Sequence, residues 1–201
     1  MLGFVATFVA CDLAGWLYHL VGHRTQVGRA SHQVHHTGPD DDMTLGLRQT
    51  WMPWHGLLQT WMPWHGLLHQ PLLALAGSEL RVVFVCAALS SCWQVLEHTS
   101  LPIRFPAWFA AMVMTPGAHR HHHGRDGGLV NLGPCLTVWD RLAGTWVQAE
   151  APAPLAYGPA VPAPTNLVRL ELAGWTDLLG RPRPTAPRSG ARSAPTAGVP
   201  W

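Results

Sequence analysis

Three clusters of histidine have spacings that suit metal binding. His19 and His23 form an HxxxH pair, and two later clusters share the pattern HxxHH. We call the three clusters the first, second and third box; in chain order their candidate ligands are His19, His23, His32, His35, His36, His119, His122 and His123. On an α-helix, residues three and four apart lie about 5–6 Å from one another on one face, so their imidazoles can approach the same metal centre.

Eight neutral imidazoles can hold two metal ions and leave positions open for O2. Imidazole suits iron, copper and zinc better than magnesium or calcium. A structural zinc ion usually takes four ligands, often with cysteine, so eight histidines exceed that role. The alternative interpretation is a solvent-exposed histidine tract, above all for residues 119–123, where His121 lies on a different helical side from its neighbours and is left out of the ligand set.

The composition is typical of a protein that lies in or on a bilayer. Charged residues make up only 12% of the chain, and there are 11 tryptophans, a residue that favours the membrane interface. The net charge of +2 and the dispersed arginines provide no basic face for nucleic acid. The four cysteines, Cys11, Cys86, Cys92 and Cys135, have no CxxC spacing and are predicted to be free thiols.

Hydropathy predicts membrane helices that bring the boxes to one face. Residues 2–21 are long enough to cross a bilayer, and Asp12 within them argues against a cleaved signal peptide. Residues 57–96 are mostly apolar and are interrupted near 77–81 by the tip of a predicted helical hairpin. Such a hairpin returns His98 and the third box to the face that carries the first two boxes. The arginines on that face predict that it is cytoplasmic.

Residues 1–150 are predicted to form one membrane domain, and residues 151–201 a Pro-rich, largely disordered tail. Ten of the 18 prolines follow residue 150.

Residues 49–58 recur without change as residues 59–68. A single perfect copy is typical of a recent duplication rather than of a solenoid. Each copy contains a proline, which disfavours a continuous helix, so His55 and His65 are not counted as ligands.

Other sequence features accompany the boxes. They are DLAGWLYH at 12–19, WQVLEHT at 93–99, TPGAH at 115–119, NLG at 131–133 and WDRLAGT at 139–145. With the spacing HxxxH, HxxHH, HxxHH, the chain resembles the fatty acid hydroxylase/sterol desaturase superfamily, the histidine-box membrane di-iron oxidases. The resemblance covers roughly residues 9–150, and the branch of sterol desaturases and alkylglycerol monooxygenases is nearest.

The resemblance implies an all-α integral membrane protein with a cytosolic, histidine-rich metal-binding cap. Two iron ions would use O2 as co-substrate to hydroxylate or desaturate a C–H bond of a membrane lipid. The two electrons would come from a separate donor protein. In this setting His98 is a plausible ninth ligand.

Further residues are candidates for supporting the ligand histidines without binding the metal themselves. Asp12 lies two helical turns before His19, where a buried carboxylate could orient a ligand imidazole. Asn131 could form a hydrogen bond to a ligand, and Asp140 and Arg141 could pair with the cap.

Departures from the family pattern favour an alternative. Leu132 stands where the family usually has Tyr, Ala143 where it has Phe, and His19 comes sooner after Met1 than in relatives with a further membrane helix. The alternative is therefore a truncated or degenerate membrane protein that keeps a structural metal site without turnover. A zinc hydrolase ranks last, since the sequence has no HExxH motif.

Overall fold

All regular secondary structure that the computed structural model describes is helical; the described residues are 2–40, 42–47, 76–125, 127–148, 156–159 and 163–180. The helices in chain order are α1 (Leu2–Arg24), α2 (Gln26–His32), a 3-10 helix (Gln33–His36), α3 (Met43–Leu47), α4 (Leu80–Glu97), α5 (Ala107–Met112), α6 (Pro116–His123), α7 (Val138–Ala143) and α8 (Leu167–Leu178). Within these residues β-structure is limited to two isolated bridges, so the predicted all-α class is confirmed.

Helices α1 and α4 are long and apolar enough to cross a membrane. Only 22% of the apolar stretch of α1 and 17% of that of α4 is buried within the protein. Their outer faces expose Val5, Val21, Phe84 and Leu89, an apolar surface that lipid would solvate and water would not. The protein is thus an all-α membrane protein, as the hydropathy predicts.

Helices α1 and α4 run in the same direction. The Thr7 hydroxyl pairs with that of Ser78, just before α4, at 3.0 Å. At their other ends, α1 carries the first box and α4 is followed directly by His98. This matches the predicted return of His98 to the side of the first box. The preceding limb of the hairpin and the tandem repeat, with His55 and His65, lie outside the described residues.

A tight turn folds α2 back against the end of α1. Thr25 caps α2 by accepting a hydrogen bond from Gly28 N at 2.9 Å, and its hydroxyl donates to Val21 O at 3.0 Å. Gly28 packs so closely that a Cβ there would lie 2.2 Å from the same Val21 oxygen and 2.8 Å from Gly22 Cα. Only glycine fits this approach, which brings the second box to the first.

Helix α8 packs against the other side of α2. A Cβ at Gly174 would lie 2.0 Å from the Ala30 backbone oxygen. Residues Leu167–Leu178 are therefore an ordered helix inside the segment whose composition predicts a largely disordered tail. The division of the chain at residue 150 stays a prediction, and residues 181–201 lie outside the described part.

The four cysteines are free thiols, as predicted. Cys11, Cys86 and Cys135 are buried and Cys92 is exposed. Buried cysteines behave as small apolar side chains, and here they fill space between the helices rather than cross-link them.

We expect Gly28→Ala to destabilise the protein by about 1–3 kcal/mol, because the added methyl group forces α2 away from α1. Thermal unfolding in detergent, followed by circular dichroism, measures the change. Gly3→Ala is the control, since no atom lies within 4 Å of a Cβ at Gly3. Equal melting temperatures for the two variants would mean that the close contact between α1 and α2 does not limit stability.

Candidate metal centre

The structure brings all nine candidate histidines together in two adjacent groups. The five-histidine group consists of His19, His23, His32, His36 and His122. The four-histidine group consists of His35, His98, His119 and His123. Within each group one ring nitrogen of every residue lies within 4.8 Å of the others. His36 and His123 stack across the boundary with ring centroids 4.3 Å apart, so the two groups form one centre.

The second and third boxes each contribute to both groups. Helix α2 ends at His32, and a 3-10 turn carries the chain on through His36. His32 and His36 face the five-histidine group while His35 faces the other. The prediction that the second box lies on one α-helical face is wrong, because residues 33–36 form a 3-10 turn. In the third box, on α6, His122 faces the five-histidine group, whereas His119 and His123 face the four-histidine group.

Backbone carbonyls fix three of the rings. His19 Nδ1 donates to Leu132 O at 2.9 Å, His35 Nδ1 to Leu45 O at 2.9 Å, and His98 Nδ1 to Gln94 O at 2.7 Å. A carbonyl can only accept, so each of these neutral rings carries its proton on Nδ1 and has a lone pair on Nε2. These lone pairs point into the groups.

The contacts between Nε2 atoms fit a cation at the centre of each group. His98 Nε2 lies 3.2 Å from His35 Nε2, and both atoms carry lone pairs, so no hydrogen bond joins them. His98 Nε2 also lies 3.1 Å from His123 Nε2 and 3.2 Å from His119 Nε2. Nitrogens bound about 2.1 Å from one metal ion lie about 3.0–3.4 Å apart when adjacent. His19 Nε2, in the other group, is buried without a hydrogen-bond partner among the described residues.

Burial keeps the rings in the form that binds metal. It lowers the pKa of His98 to about 4. Burial, followed by the neighbouring imidazoles, holds the pKa values of His119, His122 and His123 well below the usual value for histidine. Burial acts in the same direction on the pKa of His36. At neutral pH these rings are therefore uncharged, and their lone pairs are available to a metal ion.

Asp140 supports the carbonyl that fixes His19. It is fully buried, and its carboxylate accepts from Leu132 N at 3.0 Å and Gly133 N at 2.7 Å. It also accepts from the indole of Trp16 at 3.2 Å and the hydroxyl of Thr145 at 2.6 Å. The carboxylate thus joins α1 to the segment whose Leu132 oxygen holds the His19 ring.

Asp12 acts on the same segment from the membrane side. Its Oδ2 accepts from Trp139 Nε1 at 2.8 Å and from Leu136 N at 3.2 Å. These bonds tie α1 to α7 and to the residues before it. Among the described hydrogen bonds of Asp12 none reaches an imidazole, so any effect on His19 passes through the 131–137 segment.

Asn131 connects the same segment to α6. It adopts a left-handed conformation with φ 53°, which asparagine tolerates better than most residues. Its amide donates to Ala118 O at 2.9 Å and to Val147 O at 2.9 Å. Ala118 directly precedes His119 in the chain. The bond from Asn131 therefore holds α6, the helix of the third box, rather than an imidazole ring.

Sequence reasoning missed Glu97 and Arg120. Glu97 is fully buried, and its Oε2 lies 4.0 Å from His119 Nδ1. An acid at the end of an apolar helix, directly before a candidate ligand, is the signal that could have found it. Arg120 is buried, and its guanidinium donates to Thr99 O at 2.6 Å, which fixes the third box against the residues after His98.

The chain belongs to the fatty acid hydroxylase family, whose model matches residues 4–145. The proteins it is similar to include the alkylglycerol monooxygenases of Xenopus tropicalis (28% identical over 146 residues, 72% of this chain and 30% of that protein), Danio rerio (27% over 141 residues, 69% and 29%) and Homo sapiens (26% over 147 residues, 72% and 30%). The chain thus spans about 30% of the length of these relatives. No solved structure matches it. The resemblance predicted from the boxes is confirmed.

We expect Asp140→Asn to destabilise the protein by about 1–3 kcal/mol, because the amide presents donors to Leu132 N or Gly133 N and leaves a buried group unsatisfied. Chemical denaturation in detergent measures the loss. Asp40→Asn, at an exposed position, is the matched control. A variant at Asp140 as stable as that control would contradict the supporting role assigned to its carboxylate.

Proposed function

We propose that this chain is the metal-binding part of an O2-dependent oxidase that hydroxylates or desaturates a C–H bond of a lipid at a histidine-ligated di-iron centre. The observation that carries the proposal is the convergence of nine imidazoles, seven of them buried, in two touching groups. Membership of the fatty acid hydroxylase family and similarity to alkylglycerol monooxygenases favour O2 as the oxidant and a lipid as the substrate.

The donor set fits iron, and membership of the fatty acid hydroxylase family favours iron over copper and zinc. Nitrogen ligands suit iron, copper and zinc, and a structural zinc would need only four of them. The five-histidine group would bind one ion and the four-histidine group the other. When bound, the two irons supply the O2 activation and the oxidising power that side chains lack.

The chain's own residues would hold the ligands and exclude water. Leu132 O, Leu45 O and Gln94 O orient three of the rings through their Nδ1 protons. Met114 is fully buried shortly before the third box, and Leu132, whose carbonyl holds His19 of the first box, is also fully buried. These apolar side chains would help to keep the centre dry. Dry surroundings prevent water from competing for the oxidant.

The exposed apolar faces of α1 and α4 would allow a lipid to approach from the bilayer. We propose that the histidine side faces the cytoplasm, since Arg24, Arg29, Arg120 and Arg125 lie at that end of the fold and arginine is enriched on cytoplasmic faces. A separate electron-donor protein would dock on that side and deliver the two electrons that each turnover requires.

Metal content and activity of the detergent-purified chain test the proposal. We expect about two irons per chain. His122→Ala and His35→Ala, one from each group, should each lower the bound iron and abolish O2-dependent oxidation of lipid, because each removes a ligand from one ion. Elemental analysis and a reductant-driven O2-consumption assay with added lipid are the measurements.

His121→Ala is the matched control, because His121 lies in the same helix but in neither group. His55→Ala should also leave iron content and activity unchanged. Loss of activity in either control would contradict the ligand set. Bound metal with no O2 consumption under any reductant would favour a structural metal site without turnover.

A further inference from the structure

We infer that Glu97 is a positioning residue for the metal ion of the four-histidine group, and that its carboxylate orients His119 and offsets part of the charge of that ion. The inference rests on the metal centre proposed above. It concerns a residue outside the three boxes, on the last turn of α4.

His119 presents its two ring nitrogens to different surroundings. Its Nε2 lies 3.2 Å from His98 Nε2 and 3.1 Å from His123 Nε2, inside the four-histidine group. Its Nδ1 points out of the group and lies 4.0 Å from Glu97 Oε2. His35 and His98 present Nδ1 to carbonyls, whereas His119 presents it to a carboxylate.

The polar atoms that Glu97 and His119 turn towards each other are buried. Both Glu97 oxygens and His119 Nδ1 are buried without a hydrogen-bond partner among the described residues. Trp93, one turn earlier on α4, gives its single N–H to Met114 O at 2.9 Å. Buried polar atoms are rarely left unsatisfied, so the shared position of these three atoms indicates one interaction. A shift of about 1 Å brings Glu97 and His119 to hydrogen-bond distance.

Charge gives Glu97 a second role. The nine histidines contribute no negative charge, so divalent ions in both groups would leave several positive charges buried. Asp12 and Asp140 direct their carboxylates to backbone and indole N–H groups of the 131–139 region. Glu97 directs its carboxylate to a ligand ring. A carboxylate behind a ligating histidine fixes the tautomer and makes the ring a stronger ligand.

The test is release of iron from the full-length chain in detergent, loaded with Fe²⁺ and mixed with an excess of a coloured Fe²⁺ chelator. Glu97→Gln keeps the shape of the side chain and removes its charge. We expect one of the two ions to leave about 10–100-fold faster than in the wild type, because Glu97 lies beside His119, a proposed ligand in the four-histidine group. The other ion should leave at the wild-type rate.

Two further variants complete the design. Glu79→Gln, at the exposed start of the same helix, should release both ions at wild-type rates. Glu97→Asp keeps the charge and should release its ion more slowly than Glu97→Gln. This second variant also reports on residue 97 if Glu97→Gln does not fold.

The possible outcomes distinguish failure of the role inferred for Glu97 from failure of the proposed metal centre. Wild-type rates for both ions in Glu97→Gln would overturn the role of Glu97 and leave the metal centre intact. Equal acceleration of both ions would also overturn it, because that result shows general loosening of the fold. A wild-type chain that holds fewer than two ions would instead contradict the two-metal centre itself.

Discussion

The rings of the two histidine groups must remain neutral and point their lone pairs at a common centre, and much of the fold is arranged to meet this requirement. Neutral rings need burial, which costs solvation, and directed rings need a partner for the second nitrogen. Carbonyls of Leu132, Leu45 and Gln94 provide that partner for three rings. Since each carbonyl belongs to a different part of the chain, the metal centre and the tertiary structure depend on one another.

The buried acids show how that dependence is maintained in apolar surroundings. Asp140 and Asp12 each cross more than a hundred positions of sequence to join α1 to the region around α7. Both carboxylates are buried, and each accepts hydrogen bonds from N–H groups of the opposite segment. These two residues therefore hold together the parts of the chain that the membrane helix would otherwise leave separate.

The sequence predicts the ligands better than their arrangement. Periodicity and residue type identify the boxes and the two apolar helices, and they mark Asp12, Asn131 and Asp140 as candidates. No distinct sequence signal marks the 3-10 turn of the second box or the division of both HxxHH boxes between the two groups. The carbonyl of Leu132 could not be predicted from side-chain identity, because any residue supplies one. Glu97 is part of the sequence WQVLEHT at 93–99, but it comes close to His119 only when α4 and α6 pack together.

The position of His19 along α1 has a mechanical consequence for the histidine groups. His19 lies five residues before Arg24, the last residue of the helix, which is about 7.5 Å along the helix axis. His19 and His23 therefore belong to the same rigid element as the apolar outer face of α1. A displacement of α1 along its own axis would carry both rings with it and change the spacing of the five-histidine group.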